Sequence, residues 1–348
     1  MSEDALKLTT YFGERSRVRG RLLADELLDI HTRHGIRSSI LLRGIQGFGA
    51  KHRRRTDRLL TLSEDLPLVS VAVDARERID ALLGDVSAIG QEGLIMLERA
   101  RICGAEIEPA DLSQSPGEAV KLTIYLGRHE RVGGSPAFAA VCQTLHDSGV
   151  AGATVLLGVD GTRHGHRQRA RFFASNASVP LMVMTVGDAQ PIGKALTRLE
   201  QTLSEPLFTI ERVRVCKRDG VLLEPPHDQS AAGEHNTDLR QKLTIITSEA
   251  ARHENRSVYL ELVRRLRMAN AAGATSLRGI WGFHGNHAAH GDRLLSIRRH
   301  VPVVTVAIDT PDRIEALFDI VDELTRERGL VTSELVPATS ALHTVPGL

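Results

Sequence analysis

Aromatic side chains are scarce in this chain, with only 3% of its 348 residues Phe, Tyr or Trp. That argues against an RNA-reading sheet, which needs exposed rings on which bases stack. A salt-dependent contact between basic loops and phosphates is the only nucleic-acid mode left open. Cysteine is equally sparse: Cys103, Cys142 and Cys216 show no C-x-x-C spacing. This excludes a disulfide framework or a zinc cluster and predicts buried, inert thiols. Neither sign of charge dominates, since 44 Lys and Arg face 43 Asp and Glu for a net +1. No global field therefore draws DNA or an anionic membrane to the surface, and any basic function must be local. No run of 18 apolar residues occurs, and the start "MSEDALKLTT" is polar with no apolar stretch behind it. The expectation is a cytosolic protein without membrane insertion. A G-x-S-x-G elbow, a P-loop and a zincin motif are all missing, which points to a non-enzymatic protein.

What is present is a repeat. "KLTTYFG" at Lys7 returns as "KLTIYLG" at Lys121 and "KLTIITS" at Lys242. "LLRGIQG" from Leu41 matches "LLGVDG" from Leu156 and "LRGIWG" from Leu277. "LPLVSVAVD" from Leu66 matches segments from Val179 and Val301, and a helix-like stretch follows each. Three co-linear copies follow from this self-similarity. The periodicity within a copy reads βαββαβ, an α+β ferredoxin-like pattern. In the first copy the expected elements are roughly Leu6 to Phe12, Arg21 to Arg33, Ser39 to Ile45, Leu66 to Val73, Arg76 to Val86 and Leu94 to Ile102, with a short hairpin arm over Arg58 to Leu62. The expected organisation is repeat 1 over 1–104, a linker over 105–119, repeat 2 over 120–216, a linker over 217–240, repeat 3 over 241–338 and a tail over 339–348.

Both faces of the third strand in each copy are free of charge. Val69, Val71 and Val73, with Met182, Met184, Val186, Val304, Val306 and Ile308, form a bulky set read as lying beneath the helices. Leu68, Ser70 and Ala72, with Leu181, Val183, Thr185, Val303, Thr305 and Ala307, form a smaller set that also needs a dry cover. Each fully buried Val or Leu contributes about 1.5 to 3 kcal/mol. The drive to cover this second face predicts that the three copies pack around a pseudo-threefold axis as a single-chain trimer rather than as separate beads.

The motifs K-L-T-I-Y-x-G, L-R-G-I-x-G-F-G and L-P-x-V resemble those of the domain-of-unknown-function 190 family, a branch of the PII-like signalling superfamily. Copy one is the most faithful, with Lys7, Leu8, Thr9, Tyr11, Gly13 and then Arg43 to Gly49. The resemblance implies a regulatory protein that binds an adenine nucleotide or another small anionic metabolite in clefts between units, with no obligatory cofactor. It also implies a mobile loop after the second strand that touches a protein partner, such as a membrane channel or transporter. Two departures matter. Ala50 and Lys51 follow Gly49 where PII proteins continue with Arg and Gln, so a 2-oxoglutarate response is not expected. The PII phosphate turn is echoed by Gly90 and Gly93 without its lysine, by Glu205 and Pro206 in copy two, and by Gly329 alone in copy three. A phosphate cradle is thus expected at one cleft at most.

The loop candidates are Arg43, Gly47, Phe48, Gly49, Lys51, Arg53 and Arg54 in copy one, Arg163, His164 and His166 in copy two, and Arg278, Gly282 and His284 in copy three. Glycines at 47 and 49 would let backbone N–H groups approach an anion, and guanidinium groups suit phosphate. His284, His287 and His290 are spaced for a metal on one helix face, but the flanking glycines argue against a helix there, and no metal site is assigned. Glu98, Glu211 and Glu334 recur on the last strand and are expected to pair with arginines at the sheet edge. The alternative to a ligand sensor is an interaction module whose basic loops bind an acidic protein or nucleic-acid surface without a small molecule.

Overall fold

The computed structural model describes residues 3–49, 55–56, 65–90, 93–103, 117–168, 179–226, 239–284, 290–291 and 301–340. Repeat 1 comprises β1 (Glu3–Gly13), α1 (Leu23–Arg33), β2 (Ser38–Arg43), β3 (Gln46–Phe48), β4 (Pro67–Ala75), α2 (Arg76–Ala88) and β5 (Leu94–Cys103). Repeat 2 follows with β6 (Glu118–Gly127), α3 (Ala137–Asp147), β7 (Gly152–Leu157), β8 (Asp160–Arg163), β9 (Pro180–Gly187), α4 (Ala189–Thr202) and β10 (Leu207–Arg218). Repeat 3 has β11 (Leu239–Ser248), α5 (Val258–Met268), β12 (Gly273–Arg278), β13 (Trp281–His284), β14 (Pro302–Asp309), α6 (Pro311–Leu324) and β15 (Leu330–Ser340). Among the described residues the architecture is therefore mixed α and β, with six helices and a large antiparallel sheet shared by three repeated units. The arm expected over Arg58 to Leu62 lies outside the described residues.

The local chemistry explains these bounds. In α1, Leu23, Leu27 and Ile30 are buried on one stripe, Asp25 and Glu26 sit in the first turn, His31 and Arg33 in the last. This order suits both burial and the helix dipole. Gly35, at φ +58, lets the chain turn out of the helix. Pro311 opens α6, where its missing N–H costs nothing. Within repeat 1 the strands lie in the order β2, β4, β1, β5, and repeats 2 and 3 follow suit.

Pairing then passes from repeat to repeat in a cycle. β3 of repeat 1 pairs with β12 of repeat 3, β13 of repeat 3 with β7 of repeat 2, and β8 of repeat 2 with β2 of repeat 1. The last strands close a second cycle, β5 with β10, β10 with β15 and β15 with β5. β10 also runs on through Arg218 into the segment read from sequence as linker, because Lys217 is buried and its Nζ donates to the Asp322 carboxylate at 2.5 Å and carbonyl at 2.6 Å in α6.

The two faces of the sheet are the reverse of those expected. Leu68 and Ala72 pack with Leu23, Leu27, Ile79 and Leu82 of the helices, as do Leu181 and Val183 in repeat 2 and Ala307 in repeat 3. Val69, Val71, Val73, Met182, Met184, Val304, Val306 and Ile308 instead share one cluster built from all three repeats. The reason is steric: helices bring their own bulky leucines, so the strand floor beneath them takes small residues. Where sheet meets sheet, the strands must supply the bulk.

At the middle of that inter-repeat cluster is a closed ring of charge. Lys7 lies 2.5 Å from Glu211 and 3.1 Å from Glu98, Lys121 lies 2.5 Å from Glu211 and 2.8 Å from Glu334, and Lys242 lies 2.7 Å from Glu334 and bonds Glu98. Strand period two places it there: Leu6 and Leu8 face the helices, so Lys7 and Thr9 face inward, and Thr9 Oγ1 donates to Glu98 at 2.8 Å. The expected pairing of these glutamates with sheet-edge arginines is thus corrected. Burial would raise the Glu98 and Glu334 carboxyls, but the surrounding ammonium groups outweigh it and hold both below the usual carboxylate range. Lys121 is held well above the usual lysine value by Glu211 and Glu334 against the pull of burial, whereas at Lys7 burial prevails and lowers it.

Candidate functional site

The glycines of the G-I-x-G segment are set by how closely one repeat crosses the next. A Cβ at Gly47 would stand 2.7 Å from the Ala274 carbonyl oxygen, at Gly161 2.1 Å from that of Ser39, and at Gly282 2.4 Å from that of Ala153. What reads from sequence as a flexible anion loop is a strand clamped against a neighbour. Phe48 follows and is 4% exposed inside the core of repeat 3, beside Val258 and Leu262 of α5. Phe283 enters the core of repeat 2 in the same way, edge-on to His146 at a 5.4 Å ring-centre separation. Gly47 and Phe48 are therefore seam residues, held by the neighbouring repeat. Gly49 is exposed with open space around it.

The remaining sequence candidates fall at separate places. Arg43 bonds Glu14 at 2.9 Å and Arg278 bonds Glu249 at 3.0 Å, so both guanidinium groups are engaged within their own repeats. Arg163 pairs with Glu130. His164 is exposed in a turn at φ +48, 4.0 Å from Glu205, and His166 is exposed beside it. Gly90 turns at φ +64, while Gly93 is fixed by the Tyr11 carbonyl, 2.4 Å from where its Cβ would be. Lys51, Arg53 and Arg54 lie outside the described residues, as does His287.

Gly282 and His284 are the two candidates that border a large cleft. It has a volume of about 1230 Å³ and lies between repeats 2 and 3. Ala153, Met184, Val186, Ile246, Phe283 and Leu330 give it an apolar lining. Its polar lining includes Arg218, Arg252, Arg326 and Arg328 with His253 and His284, and the carboxylates Asp219, Glu249, Glu323 and Glu327. His284 Nε2 is 2.6 Å from Asp219, which ties repeat 3 to the turn after β10 across the cleft. His253 Nε2 stands 3.3 Å from Glu323, a carboxyl lowered by the bond that Arg265 donates to it. Arg326, Glu327 and Arg328 are exposed on the turn leading to Gly329.

The phosphate cradle expected at Gly90 and Gly93 is therefore not where this cleft lies. The cleft belongs to the repeat that keeps only Gly329. Sequence reading missed Arg218, because it was counted as linker, and Arg326 and Arg328, because no glycine-rich turn surrounds them. The stretch Arg326-Glu327-Arg328 immediately before Gly329 and the last strand was the available signal.

Two other clusters of reactive groups are engaged or buried within the fold. Glu98, Glu211 and Glu334 offer oxygens within 4.8 Å of one another, but the lysine ring already neutralises them. The three cysteines are free and buried, and burial pushes each thiol up to about 12, as expected of inert thiols.

Among the described residues no helix is long and apolar enough to cross a membrane. A family model, that of domain of unknown function 190, described as an uncharacterized ACR, matches residues 5–102, 119–215 and 240–338. With three successive matches spanning most of its length, the chain belongs to the domain-of-unknown-function 190 family.

Proposed function

We propose that the chain is a ferredoxin-like pseudo-trimer of the PII type in one polypeptide, and that it acts as a regulator rather than an enzyme. In this reading a nucleotide or similar small anion binds between repeats and alters the basic loops that follow the seam strands. Those loops then engage a protein partner. The cyclic pairing of β3, β8 and β13 supports the pseudo-trimer.

The observation that carries the ligand reading is the cleft of about 1230 Å³ with an apolar floor and an arginine-bearing rim. Its size and mixed lining suit a ligand with one flat apolar part and one anionic part. Arg326 and Arg328 line it and are exposed, and each offers the planar guanidinium fork that matches phosphate oxygens. An adenine nucleotide has this chemistry.

The test is thermal unfolding of the whole chain with ATP, ADP, AMP and inorganic pyrophosphate. A ligand at one hundred times its Kd stabilises by about 2.7 kcal/mol, and the shift grows with concentration. The expected result is a concentration-dependent rise with at least one nucleotide, reduced about tenfold in apparent affinity by Arg326→Ala with Arg328→Ala. Flat melting temperatures across all four compounds would remove the reading.

A further inference from the structure

Repeats 2 and 3 carry different residues at the places that border the cleft. In repeat 3 these places are Ser248, Ala251 and His284. In repeat 2, facing repeat 1, they are Gly127, Glu130 and Arg163, by the alignment of "KLTIITSEAA" with "KLTIYLGRHE" and of "GIWGFH" with "GVDGTR". Glu130 accepts the Gly127 N–H and pairs with Arg163. The two side chains lie directly over Gly127, where an added Cβ would be 2.8 Å from Arg163 Nη1 and 3.1 Å from Glu130 Oε1. They are 25% and 22% exposed, against 51% for His284. An Arg–Glu pair thus lies over the strand in repeat 2 at the places where repeat 3 has the small Ala251 and a His284 turned to Asp219 across the cleft.

A second set of contacts ties the same two repeats together. Arg167, on the return of the β8 hairpin, reaches Asp29 at 2.7 Å and Asp25 at 2.8 Å on α1 of repeat 1, and Asp160 at 2.8 Å beneath it. In α3, which faces the open cleft's hairpin, the equivalent places are Ala139 and Gln143, and Gln143 bonds Asp147 within its own helix. His31, behind Arg167, is buried and pushed down to about 3, chiefly by burial, so this seam holds a neutral imidazole at ordinary pH.

We propose that the seam between repeats 1 and 2 is closed by the chain's own Arg163–Glu130 pair, and that ligand of the nucleotide class is admitted at the seam between repeats 2 and 3 instead. The proposal rests on the ligand reading above and adds which seam takes the ligand and which residues decide it. Arg163 acts there as an internal occupant: its guanidinium meets a carboxylate of its own repeat where the open seam offers space to an anion.

The single tryptophan makes the open seam separately visible. Trp281 lies on β13, the strand that crosses from repeat 3 onto repeat 2, one residue before the cleft-lining Gly282, and packs edge-on against Phe138 of repeat 2 at 5.9 Å between ring centres. ATP is titrated into the whole chain by calorimetry, which counts all sites, and by Trp281 fluorescence, which reports the open seam. Three proteins are compared: wild type, the plugged variant Ser248→Gly/Ala251→Glu/His284→Arg, and the unplugged variant Gly127→Ser/Glu130→Ala/Arg163→His. The expected results are a fluorescence-linked site in wild type, at least tenfold weaker in the plugged variant, and one additional calorimetric equivalent without a second fluorescence phase in the unplugged variant. ATP binding with full fluorescence change in a plugged variant of unchanged melting temperature overturns the inference and leaves the ligand reading standing. If the plugged variant fails to fold, an unplugged variant with no added equivalent overturns it by itself. No ATP binding to any of the three proteins overturns both.

Discussion

Gly47 and Gly49 stand two residues apart and have opposite surroundings. The Cβ of an alanine at 47 would meet the Ala274 carbonyl and the ring of Pro67, whereas at 49 it meets nothing. The Ala274–Thr275 backbone and the stiff Pro67 ring leave no flexible atom to yield, so Gly47→Ala is expected to destabilise by about 1–3 kcal/mol, as overpacking does. Gly49→Ala is expected to stay within about 0.5 kcal/mol. Urea unfolding of the two variants checks this, and equal midpoints would show that the crossing of β3 and β12 is not tight. Phe48→Ala removes a ring buried in another repeat and is expected to cost about 3–5 kcal/mol. At this scale the sequence was legible in residue type but not in cause. G-F-G announces a constrained backbone, yet glycine that admits an anion and glycine that admits a neighbouring strand look identical until the neighbour is known. The surroundings of the arginines are hidden for a related reason: Arg43, Arg163 and Arg278 each have a carboxylate of their own repeat, Glu14, Glu130 and Glu249, that lies distant in sequence.

Strands and helices were the most legible level. Apolar periodicity placed α1, α2, β4 and β5 within two residues or so of their ends, because each buries a stripe or an alternating face that the sequence displays directly. β3, β8 and β13 were not legible, since three or four residues with a central glycine have no strand signature and their partners lie in other repeats. The K-L-T landmark was noticed as a repeat marker, but an isolated lysine in a strand ordinarily faces water. Its partners, Glu98, Glu211 and Glu334, sit on β5, β10 and β15, and sequence alone does not close that ring. Removing one member leaves its neighbours buried and unbalanced. Lys121→Met is therefore expected to cost about 3–5 kcal/mol, measured by chemical denaturation. A loss below about 1 kcal/mol would mean that the ring is solvated. Acid provides an independent check. The folded-state values of Glu98 and Glu334 are depressed, so their contribution is present above the unfolded carboxylate value of about 4.3 and is lost as pH falls through the lower folded values. The urea midpoint is expected to drop steeply below about pH 4, and a midpoint constant down to pH 2.5 would contradict the assignment.

Across the whole molecule, the repeats exchange strands and core residues, so none has a complete core by itself: Phe48 belongs to the core of repeat 3 and Phe283 to that of repeat 2. Unfolding is expected to be one transition, with far-ultraviolet circular dichroism and Trp281 fluorescence superimposable in urea. Separate transitions would point to repeats that stand alone. The same interlocking lets the seams differ within one chain, because a change at one seam is not copied to the others as it would be in a trimer of identical subunits. The repeated motifs made the threefold organisation visible, but the divergence of the seams emerged only when Arg163 and His284 were placed in equivalent surroundings. At this scale the ligand is proposed to lodge between repeats 2 and 3. Amide hydrogen exchange of the whole chain with and without saturating ATP localises binding directly. The account predicts slowed exchange in residues 246–253, 282–284 and 326–330, with 127–132 unchanged. No change on adding ATP, or protection centred on 127–132 instead, would contradict it.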